Sequence, residues 1–330
     1  ALLVIAADEG VMPQTLEHLA VLEHLRVPAG IPVLTKADLV SPEQLGRLAG
    51  EVASRLARSP VEFEPPVITS ARSGQGIEAL RSRIEARVRA ALPRPVGDLF
   101  RMPVDRAFSI AGVGTVVTGT AWSGSVSVGE GVTLLPAGVS GRARSIEGHG
   151  RALERSEAGT RTAVGIAGIS RGAVSRGAVL VADRDAWVVS TAIDVELTLQ
   201  TDAPRPLGPR ARVRILLGTA EVMARVRPRS AIEPGSTGMA RLALEAPVVA
   251  RAGDRFVVRS YSPVATIGGG LVLDIAPPRR AVWPAGLGHG DPVVRLGALL
   301  ERRPAGIHAR ELPHLLGLPP DAATAVARRT

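Results

Sequence analysis

Over roughly the first ninety residues, short apolar runs alternate with segments whose apolar positions recur every three or four residues. The runs at 2–6, 31–35 and 66–69 have the length and composition of strands buried in a parallel sheet. Each leads into a helical pattern. Leu16, Leu19, Leu22 and Leu25 form one stripe after the first run. After the second, Ser41, Pro42 and Gln44 predict a helix start, because the serine hydroxyl can accept a backbone N–H three residues on while the glutamine reaches back. A proline at the first helical position costs no hydrogen bond. After the third, Ile77, Leu80, Ile84 and Val88 predict a helix over 77–92 that Pro93 stops. This is half of an α/β domain. The chain starts inside an apolar strand with no turn before it, which predicts that residues 1–330 are part of a longer protein.

From about Arg101 the period changes. Short β-rich runs such as GTVVTGTAW and VTLLP are separated by glycine-rich turns, and a second series of strands begins near Trp187. Two β-barrels or sandwiches are expected. Beyond the proline-rich joint APPRRAVWPAG, the stretches VVRLGALLERR and ARELPHLLGL are helical, as in the opening of a small helical or winged-helix module. Arg302, Arg303, Arg310, Arg328 and Arg329 are expected on its solvated face.

The chain has 330 residues, a mean hydropathy of +0.19 and no cysteine, so neither a disulfide framework nor a thiolate metal site is available. The six histidines show no zinc-ligand spacing, and no bound metal is expected. The opening apolar run is too short to span a bilayer and lacks the basic flank of a signal peptide, so a cytoplasmic location is expected. A formal charge of +9 suggests an anionic partner such as nucleic acid. That signal is diluted by a global skew: Lys36 is the only lysine among 40 basic residues, and asparagine is absent.

The one lysine falls in Thr35-Lys36-Ala37-Asp38, at the carboxyl end of an apolar strand, where open α/β sheets bind ligands. It matches the guanine-specificity motif [NT]KxD. A carboxylate at Asp38 can accept both N1–H and the exocyclic amine of guanine, which adenine does not offer in that arrangement. Charge-assisted hydrogen bonds contribute roughly 1.5–3 kcal/mol each, and a site left with unpaired polar groups rejects an analogue by about 10⁴-fold. The lysine stem suits the plane of a base. Alone, four residues fit an ordinary strand-to-helix turn equally well. One helix and one strand later, Thr69-Ser70-Ala71-Arg72-Ser73-Gly74 ends the next apolar run. A serine and alanine followed by a glycine turn is common, and the spacing after Asp38 is what draws attention to it.

With these motifs and the segment ADEGVMPQTLEHL, the chain resembles a translational GTPase beginning just after the DxxG switch motif. The resemblance assigns guanine contacts to Thr35, Lys36, Asp38, Ser70 and Ala71, the last through its backbone N–H. No GxxxxGK[ST] phosphate loop occurs in the sequence. Such a loop supplies most of the triphosphate and Mg²⁺ contacts, so the chain alone is expected not to hydrolyse GTP, with Mg²⁺ held only by the full-length protein. MPVDRAFSIAGVGTVVTGT resembles the start of the second domain of elongation factors, and DRAF, AGTRTAVGIAG, LLGTAEVMARV and IGGGLVLD narrow the likeness to the selenocysteine-specific elongation factors.

That resemblance implies a multidomain α/β and β fold: part of a P-loop GTPase domain (1–93), two β-barrels (99–184 and 187–277) and the start of a winged-helix module (289–330). It implies GTP as cofactor, and selenocysteyl-tRNA and the ribosome as partners. Asp105, Arg106 and Arg161 would surround the selenocysteine side chain, whose selenol is largely ionised near neutral pH. A plain salt bridge is the competing reading of this group. An mRNA hairpin would be bound only by domains beyond those present. Other readings stay open: another factor of the elongation factor Tu superfamily, or a noncatalytic RNA-binding protein.

Overall fold

The structure is a computed structural model describing residues 1–91, 97–112, 114–182, 184–280 and 282–330. The chain divides into two units, Ala1–Leu92 and Pro93–Thr330.

In the first unit, β1 (Leu2–Ala6), β2 (Ala29–Thr35), β3 (Glu62–Phe63) and β4 (Val67–Ile68) alternate with helices α1 (Pro13–His24), α2 (Pro42–Leu56) and α3 (Ile77–Ala90). β2 is central, parallel to β1 on one side and to β4 on the other, with Val33 opposite both Val4 and Val67. Leu3, Ile5 and Leu34 pack with Leu19 of α1 and with Leu45, Val52 and Leu56 of α2. Ile31, Val33 and Val67 face the other way, toward Leu80 and Ile84 of α3. Helices therefore cover both faces of β2, which explains its unbroken apolar run.

Two expectations need correction here. β1 is not buried on both sides, since Leu2 and Val4 are exposed while Leu3 and Ile5 are buried. The leucine stripe of α1 is also shallower than its spacing implies: Leu19 alone is buried, and Leu16 and Leu25 are exposed. The expected stop of α3 at Pro93 lies outside the described residues. The start of α2 is as the sequence predicts, with Ser41 Oγ accepting from Gln44 N at 3.3 Å and Ser41 N donating to Gln44 Oε1 at 3.0 Å. Ser41→Ala is expected to cost about 1 kcal/mol, read as a lowered urea midpoint with unchanged slope.

The second unit carries two closed antiparallel barrels. The first uses β5 (Arg101–Ile110), β6 (Gly114–Thr120), β8 (Gly131–Leu135), β9 (Val139–Gly148), β12 (Arg161–Ala167) and β13 (Val179–Val181). Pairing runs β5-β6-β12-β9-β8-β13 and returns to β5. The short strands β7 (Ser125–Ser127) and β11 (Arg155–Glu157) form a separate ribbon, and β10 (Arg151–Leu153) turns back to pair antiparallel with the end of β9. Gly119 permits a close strand crossing, because a Cβ there would lie 2.2 Å from the Pro103 carbonyl oxygen.

The second barrel uses β14 (Val189–Leu199), β15 (Arg212–Leu217), β16 (Ala220–Pro228), β17 (Thr237–Val249), β18 (Arg255–Ser260) and β19 (Thr266–Asp274), closed in the order β14-β17-β16-β15-β18-β19. Between the barrels, Arg101 makes a two-pronged bond to Asp254 at 2.5 and 2.6 Å, with its guanidinium over Trp122 and Trp187. Both charges are buried, and the paired Nη atoms of the guanidinium neutralise the carboxylate, which also accepts from Arg251 N at 2.8 Å.

Helices α4 (Pro292–Glu301), α5 (Leu312–Leu316) and α6 (Pro320–Ala327) follow. Leu296, Leu299, Leu315, Leu316 and Val326 belong to the same apolar core as the second barrel. The placement of the arginines overturns the expectation of one solvated face. Arg310, Arg328 and Arg329 are exposed, but Arg302 is buried and Arg303 nearly so. Arg302 bonds Asp274 at 2.9 Å and also Asp194, while Arg303 bonds both oxygens of Asp274 at 2.7 and 2.8 Å. Arg241 bonds Asp194 at 2.6 and 3.0 Å. Two buried carboxylates on β14 and β19 draw these arginines inward, because an unpaired buried carboxylate is far costlier than a paired one.

Candidate functional site

The loops after β1, β2 and β4 lie at one edge of the parallel sheet, at the carboxyl ends of the strands. Thr35 ends β2. Its carbonyl accepts from Ala7 N at 2.8 Å, and its hydroxyl donates to the Ile5 carbonyl at 3.4 Å. Lys36 then takes a left-handed conformation, φ 56° and ψ 36°, unusual for a side chain with a Cβ. Its ammonium donates to Asp8 Oδ2 at 3.0 Å and Glu9 Oε1 at 3.3 Å. Those hydrogen bonds raise its pKa above the ordinary lysine value.

Ala37 N donates to the Thr69 carbonyl at 3.1 Å, tying this loop to the end of β4. Asp38 stays at the surface, with Oδ1 accepting from the buried Ser70 hydroxyl at 2.5 Å. The Ser70 bond lowers the pKa of Asp38, burial opposes it, and its own backbone N–H and the charge of Arg72 add to the lowering. The group is therefore an ionised acceptor with a fixed orientation.

Ser70 is itself held in place. Its hydroxyl accepts from Ser73 N at 3.2 Å, its carbonyl from Gly74 N at 2.9 Å, and its N–H donates to Gln75 O at 3.0 Å. Gly76 closes the turn at φ 69°, where a Cβ would lie 1.9 Å from the Ile68 carbonyl oxygen. Ala71 is exposed next to Ser70. All five residues expected around guanine thus come from two adjacent loops, and the turn after β1 adds Asp8 and Glu9, which sequence reasoning missed. No local pattern gives this contact: it is the parallel pairing of β1 with β2, with Ala6 opposite Thr35, that puts residues 8 and 9 beside residue 36.

On the first barrel, a bulge between Val104 and Arg106 sets Asp105 out of the regular β5–β6 register. Asp105 accepts from Thr118 Oγ1 at 2.7 Å and from Arg161 at 2.5 and 3.3 Å. Burial would raise the Asp105 pKa, but the hydrogen bonds from Arg161 and Thr118 outweigh it and hold the carboxyl below its ordinary value. Arg106 is exposed, opposite Thr118 in register, and makes none of these bonds. The structure brings Asp105 and Arg161 together as an ion pair and adds Thr118, which the sequence did not single out.

Residues 1–90 match the elongation factor Tu GTP binding domain, and residues 194–279 match the family described as "Selenocysteine-specific elongation factor, beta-barrel domain". The selenocysteine-specific elongation factor of Desulfomicrobium baculatum is 40% identical over 275 residues, 83% of this chain and 43% of that protein. Its counterpart in Escherichia coli strain K12 is 34% identical over 284 residues, 85% and 44% of the two chains. A bacterial selenocysteine-specific elongation factor structure superposes with a TM-score of 0.80 at 27% identity, covering 97% of this chain and 53% of that one. The chain spans less than half the length of those two curated relatives. The GTPase-type sheet edge, the barrel match and these relatives agree: the chain belongs to the selenocysteine-specific elongation factor family.

Proposed function

We propose that the chain works in a GTP-dependent elongation factor that delivers selenocysteyl-tRNA to the ribosome at recoded UGA codons, in the cytoplasm. The observation that carries this reading is the ionised Asp38, oriented by Ser70 beside Lys36 at the carboxyl edge of a parallel sheet. An acceptor held this way suits the two N–H donors of guanine. Thr35, Lys36, Asp38, Ser70 and Ala71 are assigned to the base. Bound GTP supplies the energy of the cycle, and no residue of 1–330 is assigned to its Mg²⁺. In this reading 1–93 is the nucleotide domain, 99–184 and 187–277 are the barrels that hold tRNA, and 289–330 begins a helical domain. The mRNA hairpin is assigned no contact in 1–330.

The aminoacyl end is assigned to Asp105, Arg106 and Arg161. Arg161 is half-exposed and already paired with Asp105, so the carboxylate orients the guanidinium, and an arriving selenolate shares it. A selenolate gains from that cation, whereas a seryl hydroxyl gains little. A preference of about 10²-fold corresponds to roughly 2.7 kcal/mol, within reach of one or two ionic contacts. Arg161→Ala is expected to narrow the preference for selenocysteyl-tRNA over seryl-tRNA by about tenfold or more, measured by competition binding. Equal affinities in the unmutated protein would overturn the selenocysteine assignment.

On the outer face of the second barrel, Arg212 stands opposite Arg225, and Arg214 opposite Arg259. Like charges face to face weaken a sheet. Glu245 and Glu221 pair with Arg212 and Arg214 and offset part of that repulsion.

A further inference from the structure

We propose that Asp8 and Glu9 are positioning residues for guanine recognition, holding the Lys36 stem at the place where it lies along the base. The proposal rests on the reading of Asp38 as the guanine contact. Strand order supplies the argument. β2 lies between β1 and β4, so the Lys36–Asp38 loop has the turn after β1 on one side and the Ser70 turn on the other.

The two chemical groups of the motif are tethered in opposite directions. Lys36 reaches to Asp8 and Glu9 after β1, and Asp38 is held by Ser70 after β4. The gap between them along the sheet edge is where a planar base would be received.

The tether is built on ordered backbone. Gly10 N and Glu9 N donate to the Ala6 carbonyl at 2.9 and 3.2 Å, and Ala7 N donates to the Thr35 carbonyl at 2.8 Å. The two carboxylates therefore project from a closed turn that is itself bonded to the strand end carrying Lys36. A lysine side chain has among the largest rotamer freedoms of any residue, and freezing it on binding weakens affinity. Gripping the ammonium beforehand removes that cost. Exposed ion pairs of this kind add little to stability. Their effect is expected in binding.

The composition makes this testable, because Lys36 is the only lysine. Lysine labelled with ¹³C at Cε gives a single side-chain reporter in the 330-residue chain. Its relaxation, and titrations with GMP and AMP, are to be compared in the unmutated chain, in Asp8→Asn/Glu9→Gln and in Asp8→Glu. The expected results are a GMP preference in the unmutated chain and, in the double variant, a more mobile Cε with GMP affinity reduced by about three- to tenfold. Asp8→Glu, which keeps a carboxylate, should retain the ordered Cε. A double variant with unchanged Cε relaxation and unchanged GMP affinity, beside an unmutated chain that still prefers GMP, overturns the positioning role and leaves the guanine site standing. Indifference of the unmutated chain to GMP and AMP alike overturns both.

Discussion

Replacing Arg302 by alanine is expected to destabilise the second unit by about 3–5 kcal/mol, the cost of breaking a buried ion pair by removing one partner. The Arg302 side chain is wholly inaccessible, and its two guanidinium ends join Asp194 of β14 to Asp274 of β19. Without it, Asp274 keeps Arg303 and Asp194 keeps Arg241, but each buried carboxylate loses a charged donor. The substitution also opens a hole beside Trp283, whose ring centre is 5.8 Å from the Arg302 Cζ. Urea unfolding followed by circular dichroism measures the loss, and Trp283 fluorescence, isolated by replacing Trp122 and Trp187 with phenylalanine in both chains compared, reports it locally. Arg328→Ala, on an exposed arginine of the same segment, is the control and should stay within about 0.5 kcal/mol of the unmutated chain. An Arg302 variant as stable as this control would mean that the barrel carboxylates are satisfied without it.

Asp38→Asn is expected to lower the affinity for GMP by about 10²-fold or more, since two charge-assisted hydrogen bonds of roughly 1.5–3 kcal/mol each are weakened or reversed. An amide offers one acceptor and one donor where the carboxylate offers two acceptors. A base with a carbonyl in place of the exocyclic amine should therefore regain affinity, and XMP should bind the variant better than GMP does. The fold has little stake in the change, because Asp38 is exposed and, among the described residues, its carboxylate accepts a side-chain hydrogen bond from Ser70 alone. The pH dependence follows the same bond. Ser70 holds the Asp38 pKa below its ordinary value, so the acceptor, and with it GMP binding, persists as pH falls until the depressed pKa is reached. Ser70→Ala should move that loss to higher pH. Titrations of GMP, XMP and AMP against both variants test these expectations together. An Asp38 variant that still favours GMP over XMP would remove Asp38 from the base.

Much of the first unit could be read directly because its signals are local. A serine and a glutamine three residues apart cap α2, as their chemistry requires. Residues 35–38 and 69–76 each form a continuous loop whose turn residues are adjacent in sequence, and their shared position at one sheet edge follows from parallel pairing. The barrels were legible as alternation and glycine spacing, although closure depends on pairings such as β8 with β9 and β13 with β5 that no local pattern reveals.

By itself the sequence determined the alternation of strand and helix in the first unit, apart from the short β3, the two motif loops and the change from α/β to all-β texture, since each depends on periodicity or turn chemistry within a few residues. Tertiary structure alone decided the fate of the charges. Arg302 meets Asp194 across 108 residues, Arg161 meets Asp105 across 56, and Lys36 meets Asp8 across 28. An arginine has the same letters whether solvated or buried. What separates Arg302 from Arg328 is that the second barrel carries two buried carboxylates within reach of one and not of the other, and the free energy of a charge is set by its partners and its solvent.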